Sequence, residues 1–136
     1  MLKDTLIISF IILIFIAVIL VFYTEIMKNN DIKSAKNNFF FVKEEIIKSI
    51  NNCNDKTKES WIFGGLCTEA PEIENISQYF NIIQKLVNPY DNKTGVEGGP
   101  GSVLIQLVEN QVESQFIFSI DVDADGGIDI TQFMKF

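Results

Sequence analysis

The chain opens with an uninterrupted apolar segment. Between Leu6 and Tyr23 only Ser9 is polar, and no residue is charged. A helix of this length, at about 1.5 Å per residue, spans roughly 27 Å, close to the ~30 Å hydrocarbon core of a bilayer. The segment therefore predicts a membrane-spanning helix. A removed signal peptide is the alternative, but its basic region would be the single Lys3, and no small-residue cleavage site follows.

The polarity changes after Tyr23, but nothing would end a helix before Ile50, because the first glycine or proline comes after Phe63. Apolar residues recur here at spacings of four, three, four and four, which places them on one side of a helix. This stripe consists of Ala35, Phe39, Val42, Ile46 and Ile50. We expect one continuous helix of about 50 residues, apolar all round over residues 1–24 and amphipathic over residues 25–52.

Residues 53–136 are predicted to form a globular head. After a loop that holds two cysteines, Pro71 suits the first turn of a second helix, and the acidic residues Glu72 and Glu74 suit the positive end of its dipole. Its apolar stripe would be Ile73, Ile76, Phe80, Ile83 and Val87. Asn88-Pro89 is expected to end this helix, and the glycine-rich segment Tyr90–Gly101 reads as a long loop.

From Ser102 onward the pattern is typical of β-strands. Ser102–Glu109 and Val112–Val122 are rich in β-branched and aromatic residues and flank Asn110-Gln111, which indicates a hairpin. Ile128–Phe136 would add a third antiparallel strand. The helical stripe is the natural cover for one face of this sheet. The predicted fold class is α+β: a long N-terminal α-helix whose apolar half protrudes and whose amphipathic half packs on a C-terminal antiparallel sheet of about three strands.

Composition excludes several classes of function. The 136 residues carry 11 Lys+Arg and 18 Asp+Glu, a net charge of −7, and every basic residue is lysine. Without histidine the chain has no Ser-His-Asp or Cys-His apparatus and no histidine-ligated metal. The acidic balance opposes nucleic-acid binding over a broad face. Since no nucleophile–base pair is evident either, we expect no enzymatic activity.

The two cysteines, Cys53 and Cys67, bracket a Gly-Gly turn. A disulfide between them would close a loop worth about 3 kcal/mol and would indicate an oxidising compartment. Two unpaired buried thiols are the alternative. More lysines follow the apolar segment than precede it. By the positive-inside rule this would place the rest of the chain in the cytoplasm, where disulfides are rare. This conflict disappears if a basic leader was removed from the chain.

An aspartate-rich run near the C-terminus has the composition of a cation site. Four carboxylates at nearly alternate positions surround two glycines that permit a sharp turn: Asp121, Asp123, Asp125 and Asp129. Calcium takes about six to eight oxygen ligands, and this run could supply most of them. It lacks the twelfth-position glutamate of an EF-hand, where Gln132 stands. We therefore expect a calcium site of another kind; a solvated acidic turn is the alternative.

Asp4 stands at the head of the apolar segment. On a single membrane anchor it would be an interfacial charge. If copies of the helix pack together, its carboxylate could pair with the α-amine of a neighbouring Met1 and set the axial register, because an unpaired charge there is costly.

These features together resemble a type IV pilin of class b, or a type IV pilin-like protein. The sequence resemblance lies in Met1-Leu-Lys-Asp4-Thr and in Asp31–Phe39, whereas the remainder resembles the family in architecture. The resemblance implies that Asp4 takes the place of the near-terminal glutamate and pairs with the N-terminus of an adjacent subunit. Met1 would be the N-methylated first residue, and some relatives bind calcium in a C-terminal loop.

The resemblance also implies a function and partners. The chain would be a homopolymer joined through residues 1–50, stored in the inner membrane and assembled into a cell-surface filament with its heads outward. A prepilin peptidase and a pilus assembly machinery would be its partners. A pseudopilin of a secretion system and a monomeric membrane-tethered domain that binds calcium or another ligand are the alternatives.

Overall fold

The computed structural model describes residues 2–55, 58–109 and 113–136. Met1 and the predicted turn at Asn110-Gln111 lie outside the described residues. By contacts the chain divides into two compact units, one ending at Asn30 and the other formed by Asp31–Phe136. The α+β fold class predicted from the sequence is confirmed.

The helix α1 extends from Leu2 to Asn54, 53 residues in all. In the first unit its large apolar side chains are exposed, from 45% for Val18 to 66% for Phe10. Among the described residues this is the one helix long and apolar enough to cross a membrane, with a mean hydropathy of 3.3 in its apolar window. A signal sequence would meet the same criteria of length and composition.

The second half of α1 supplies one wall of the head's core. All five residues of the predicted stripe are buried: Ala35, Phe39, Val42 and Ile46 are 0% exposed, and Ile50 is 7% exposed. They belong to one apolar cluster with Phe80 and with the inner face of the sheet, including Phe116 and Phe118. The periodicity therefore predicted this face of α1 correctly.

Three antiparallel strands follow, β1 (Val103–Glu109), β2 (Ser114–Ile120) and β3 (Ile130–Lys135), in the order β1-β2-β3. The register pairs Ile105 with Phe118 and Phe118 with Gln132, so alternate residues face the core. On the opposite face Leu104 is 37% exposed and Phe133 is 66% exposed. The expected sheet is confirmed, with each strand slightly shorter than the sequence indicated.

The second helix differs from the expectation. α2 covers Ile73–Gln78 and continues as a single π-helical segment, Tyr79–Ile83. The N–H of Gln84 donates to Tyr79 O at 2.9 Å, and Lys85 has a φ of 53°, so the chain leaves the helix before Asn88-Pro89. The predicted stripe consequently ends early: Ile83 is 68% and Val87 51% exposed.

Candidate metal centre and adjoining cleft

The disulfide between Cys53 and Cys67 is present, with an S–S distance of 2.00 Å, so the alternative of two unpaired thiols is wrong. It ties the end of α1 to a loop whose Trp61 is only 5% exposed. The Nε1–H of Trp61 donates to Glu69 O at 3.0 Å, and the N–H of Ile62 donates to Ser49 Oγ at 3.0 Å. The first bond joins two parts of the loop, and the second holds the loop against α1.

The aspartate-rich run is the connection between β2 and β3. Asp121, directly after β2, is 5% exposed, and its carboxylate accepts from the N–H of Gly126 at 2.7 Å and from that of Asp125 at 3.2 Å. Asp129 Oδ2 accepts from the N–H of Val122 at 2.8 Å. Ala124 takes the left-handed conformation with a φ of 58°. The loop is thus folded around its own carboxylates.

Three of the four predicted ligands come together. Asp121, Asp123 and Asp129 each offer a carboxylate oxygen, and these oxygens lie within 4.8 Å of one another, so the group could hold a metal ion. Asp125 is not a member of this group. Its Oδ1 accepts from the N–H of Gly127 at 2.8 Å, while its own N–H donates to Asp121 and Asp123. The side chain of Asp125 thus accepts a hydrogen bond from the backbone of its own turn.

Asp123 is an aspartate of the loop whose pKa responds to its surroundings. Desolvation raises the pKa of Asp123 above its usual value. The hydrogen bond from the N–H of Asp125 lowers this pKa, whereas the negative charges of Asp125 and Asp129 raise it further. A cation would relieve this repulsion. The group of Asp121, Asp123 and Asp129 could therefore hold a positive ion.

Sequence reasoning missed Tyr90 and Asp31. Tyr90 Oη donates to Val122 O at 2.5 Å, at the edge of the aspartate loop. Burial raises the pKa of the Tyr90 hydroxyl, and the negative charges of Asp31 and the three clustered aspartates raise it further. No local pattern could have placed Tyr90 beside residues more than 30 positions later in the chain.

A cleft of about 280 Å³ adjoins the loop. Its apolar lining includes Pro100, Leu104, Ile120 and Ile128, and its acidic residues are Glu97 and Asp121. We call it the acidic cleft. Glu97 Oε1 accepts from the N–H of Ile105 at 2.6 Å, so the residue is held in place against β1.

Asp4 lies in the first turn of α1 and is exposed. Its predicted partner, Met1 of a neighbouring copy, is outside the described residues, so the pairing stays a prediction.

Comparisons with family models, with curated proteins and with solved structures found no match to this chain. The long N-terminal helix, the disulfide and the three-stranded sheet are compatible with a pilin-like fold.

Proposed function

We propose that this chain is the structural subunit of a type IV pilus-like extracellular filament, joined to its copies through residues 1–50 with the head exposed. The observation that carries the proposal is the contrast within α1. The stripe from Ala35 to Ile50 is buried in the head, whereas Leu6–Tyr23 exposes large apolar side chains on every side. Such a surface needs lipid or other apolar helices around it.

The membrane would serve as a store before assembly. Transfer of an apolar helix from lipid into a bundle of like helices gives little net hydrophobic gain, because lipid tails are as apolar as the side chains. Van der Waals packing and the pairing of Asp4 with a neighbouring N-terminus would then select the register. A prepilin peptidase and an assembly machinery are the partners that this proposal requires.

The disulfide supports placement of the head outside the cytoplasm. Disulfides persist in oxidising compartments and are rare where thiols are kept reduced. Cys53–Cys67 lies in the unit that contains the whole sheet, so the head is the part that such a compartment would hold. A head at the cell surface satisfies this condition.

The test is the composition of material sheared from the cell surface. If the proposal holds, the sheared fraction contains filaments in which this chain is the principal band. Recovery of the chain in the membrane fraction alone would contradict the proposal and favour a monomeric membrane-tethered domain. Only short filaments that stay with the envelope would instead favour a pseudopilin.

We also propose that the three-carboxylate group binds calcium. Carboxylate oxygens are hard ligands, and calcium accepts about six to eight oxygens in flexible geometry, whereas magnesium demands a near-ideal octahedron. Asp121, Asp123 and Asp129 would hold the ion, with carbonyl groups and water completing the set. Bound calcium would fix the connection between β2 and β3 and thereby rigidify the head.

A further inference from the structure

The exposed face of α1 in the head combines an aromatic residue with lysines. Phe40 points away from the buried stripe and is 46% exposed. Lys36 lies four residues before it and Lys43 three residues after it, so both neighbour it on the helix surface, and Lys33 lies one turn further on. We call Lys33, Lys36, Phe40 and Lys43 the lysine face.

The lysine face carries positive charges that pair with no carboxylate in the part of the head that the structure describes. Among the described residues, Lys33, Lys36 and Lys43 form no ion pair, in contrast to Lys48, which pairs with Glu45. Glu44 lies next to Lys43 in the helix and four residues after Phe40. The face is therefore a positive surface around an exposed aromatic ring, on a chain whose net charge is −7.

The acidic cleft is the complement of this face. Its apolar walls include Leu104 and Ile128, which are 37% and 58% exposed, and Glu97 and Asp121 supply negative charge. Its volume of about 280 Å³ lies just below the roughly 300–1,000 Å³ of small-molecule sites, which suits one inserted side chain. Glu97 is outside the three-carboxylate group, so its charge remains when that group binds a cation.

We infer that Phe40 of one copy inserts into the acidic cleft of the next copy, with Lys36 and its neighbouring lysines facing Glu97. This inference rests on the proposed filament and specifies the contact between its heads. Apolar burial would supply attraction, and the opposite charges would fix orientation and exclude wrong partners. Because the two surfaces differ, the contact is heterologous and leaves a free surface at each end, as an open helical polymer requires.

Cysteine cross-linking in assembled full-length protein tests the contact. In the variant F40C/L104C, mild oxidation should yield a ladder of covalent multimers on a non-reducing gel. The matched control is F40C/F133C, because Phe133 is exposed on the same face of the sheet but does not line the cleft. This control, and F40C alone, should give no ladder.

Two outcomes would overturn the inference and leave the proposed function intact. In the first, the wild type forms filaments but F40C/L104C stays monomeric on the gel. In the second, F40C/F133C gives an equal ladder. Absence of wild-type filaments would instead refute the proposed function, and the inference with it.

A double-mutant cycle keeps the inference falsifiable if cysteines at these positions prevent assembly. Glu97→Gln removes the charge but retains the oxygen that accepts from Ile105 N–H. In the wild-type background, Glu97→Gln should lower the assembled fraction, because it removes an attraction to Lys36. In the Lys36→Glu background it should raise the assembled fraction, because it removes the repulsion between two carboxylates. Independent losses that simply add would contradict direct coupling.

Discussion

At the scale of single residues, the four aspartates of the loop differ in which carboxylates come together. Oxygens of Asp121, Asp123 and Asp129 lie within 4.8 Å of one another, and Asp125 is not in this group. All four carboxylates also accept hydrogen bonds from backbone N–H groups of the loop. The proposed ligand role can therefore be tested one carboxylate at a time.

Calcium should raise the melting temperature of the full-length protein in detergent, since a ligand bound only by the native state stabilises it by mass action. At calcium concentrations about 100-fold above Kd the gain would be about 2.7 kcal/mol. Asp123→Asn should abolish most of this shift, whereas the matched variant Asp125→Asn should keep it. An unchanged melting temperature when EDTA replaces calcium would refute the site, and equal losses in both variants would refute the assignment of ligands.

The raised pKa of Asp123 sets the sign of a pH dependence. Without metal, the folded state retains a proton that the unfolded chain releases, so the contribution of Asp123 to the free energy of unfolding falls as pH rises from about 4 through the raised pKa. Calcium favours the ionised carboxylate and should reverse this trend. The measurement is the melting temperature of the wild type minus that of Asp123→Asn between about pH 4 and 7, in EDTA and in calcium. Identical slopes in the two conditions would contradict the cluster's electrostatics.

At the scale of elements, α1 has a buried surface and an exposed surface within the head, and two consecutive phenylalanines lie on different ones. Phe39 is 0% exposed in the core and Phe40 is 46% exposed on the lysine face. The helical period alone places these adjacent side chains in different environments.

Phe39→Ala should destabilise the head by about 3–5 kcal/mol, because it leaves a cavity in a packed core. Phe40→Ala should destabilise the head much less, by about 1 kcal/mol or below, since about half of its surface is exposed and no cavity forms in the core. Trp61 is the single tryptophan and is buried, so its fluorescence reports unfolding of the head in urea. Equal destabilisation by both substitutions would contradict the assigned faces of α1.

The disulfide should contribute to the same unfolding transition. The cysteines are 14 residues apart, and a loop of about this length corresponds to roughly 3 kcal/mol in the chain-entropy account. Reduction, or Cys53→Ser combined with Cys67→Ser, should lower the urea midpoint monitored through Trp61. A midpoint that does not move would show that the loop is held by its other contacts.

The elements also show how far the sequence could predict this fold. Periodicity identified the buried stripe of α1 and the strands, because each depends on local spacing. Periodicity extended α2 to Val87, because the pattern of apolar residues cannot reveal that the backbone leaves the helix at Lys85, which has a φ of 53°. Likewise, the sequence could not show that Asp125 lies outside the group of carboxylates that comes together, because the path of the turn decides which carboxylates meet. Tyr90 was beyond reach, as its place beside the loop depends on long-range packing.

At the scale of the whole molecule, the proposed assembly depends on a charge near the start of α1. Asp4→Ala should abolish filaments while the protein still inserts into membranes, because this substitution removes the carboxylate that we propose to pair with a neighbouring N-terminus. Asp4→Glu, which keeps the charge, should retain assembly. The readouts are the sheared fraction and the membrane fraction of the same cells. Normal filaments from Asp4→Ala would contradict the pairing role.

The central claim is that Leu6–Tyr23 finally packs against copies of itself. Electron microscopy of full-length protein prepared without detergent tests it most directly. The account predicts ordered filaments with the helices bundled in the centre and the heads outside. Single molecules embedded in vesicles, with no ordered polymer under any condition that preserves the head, would contradict it.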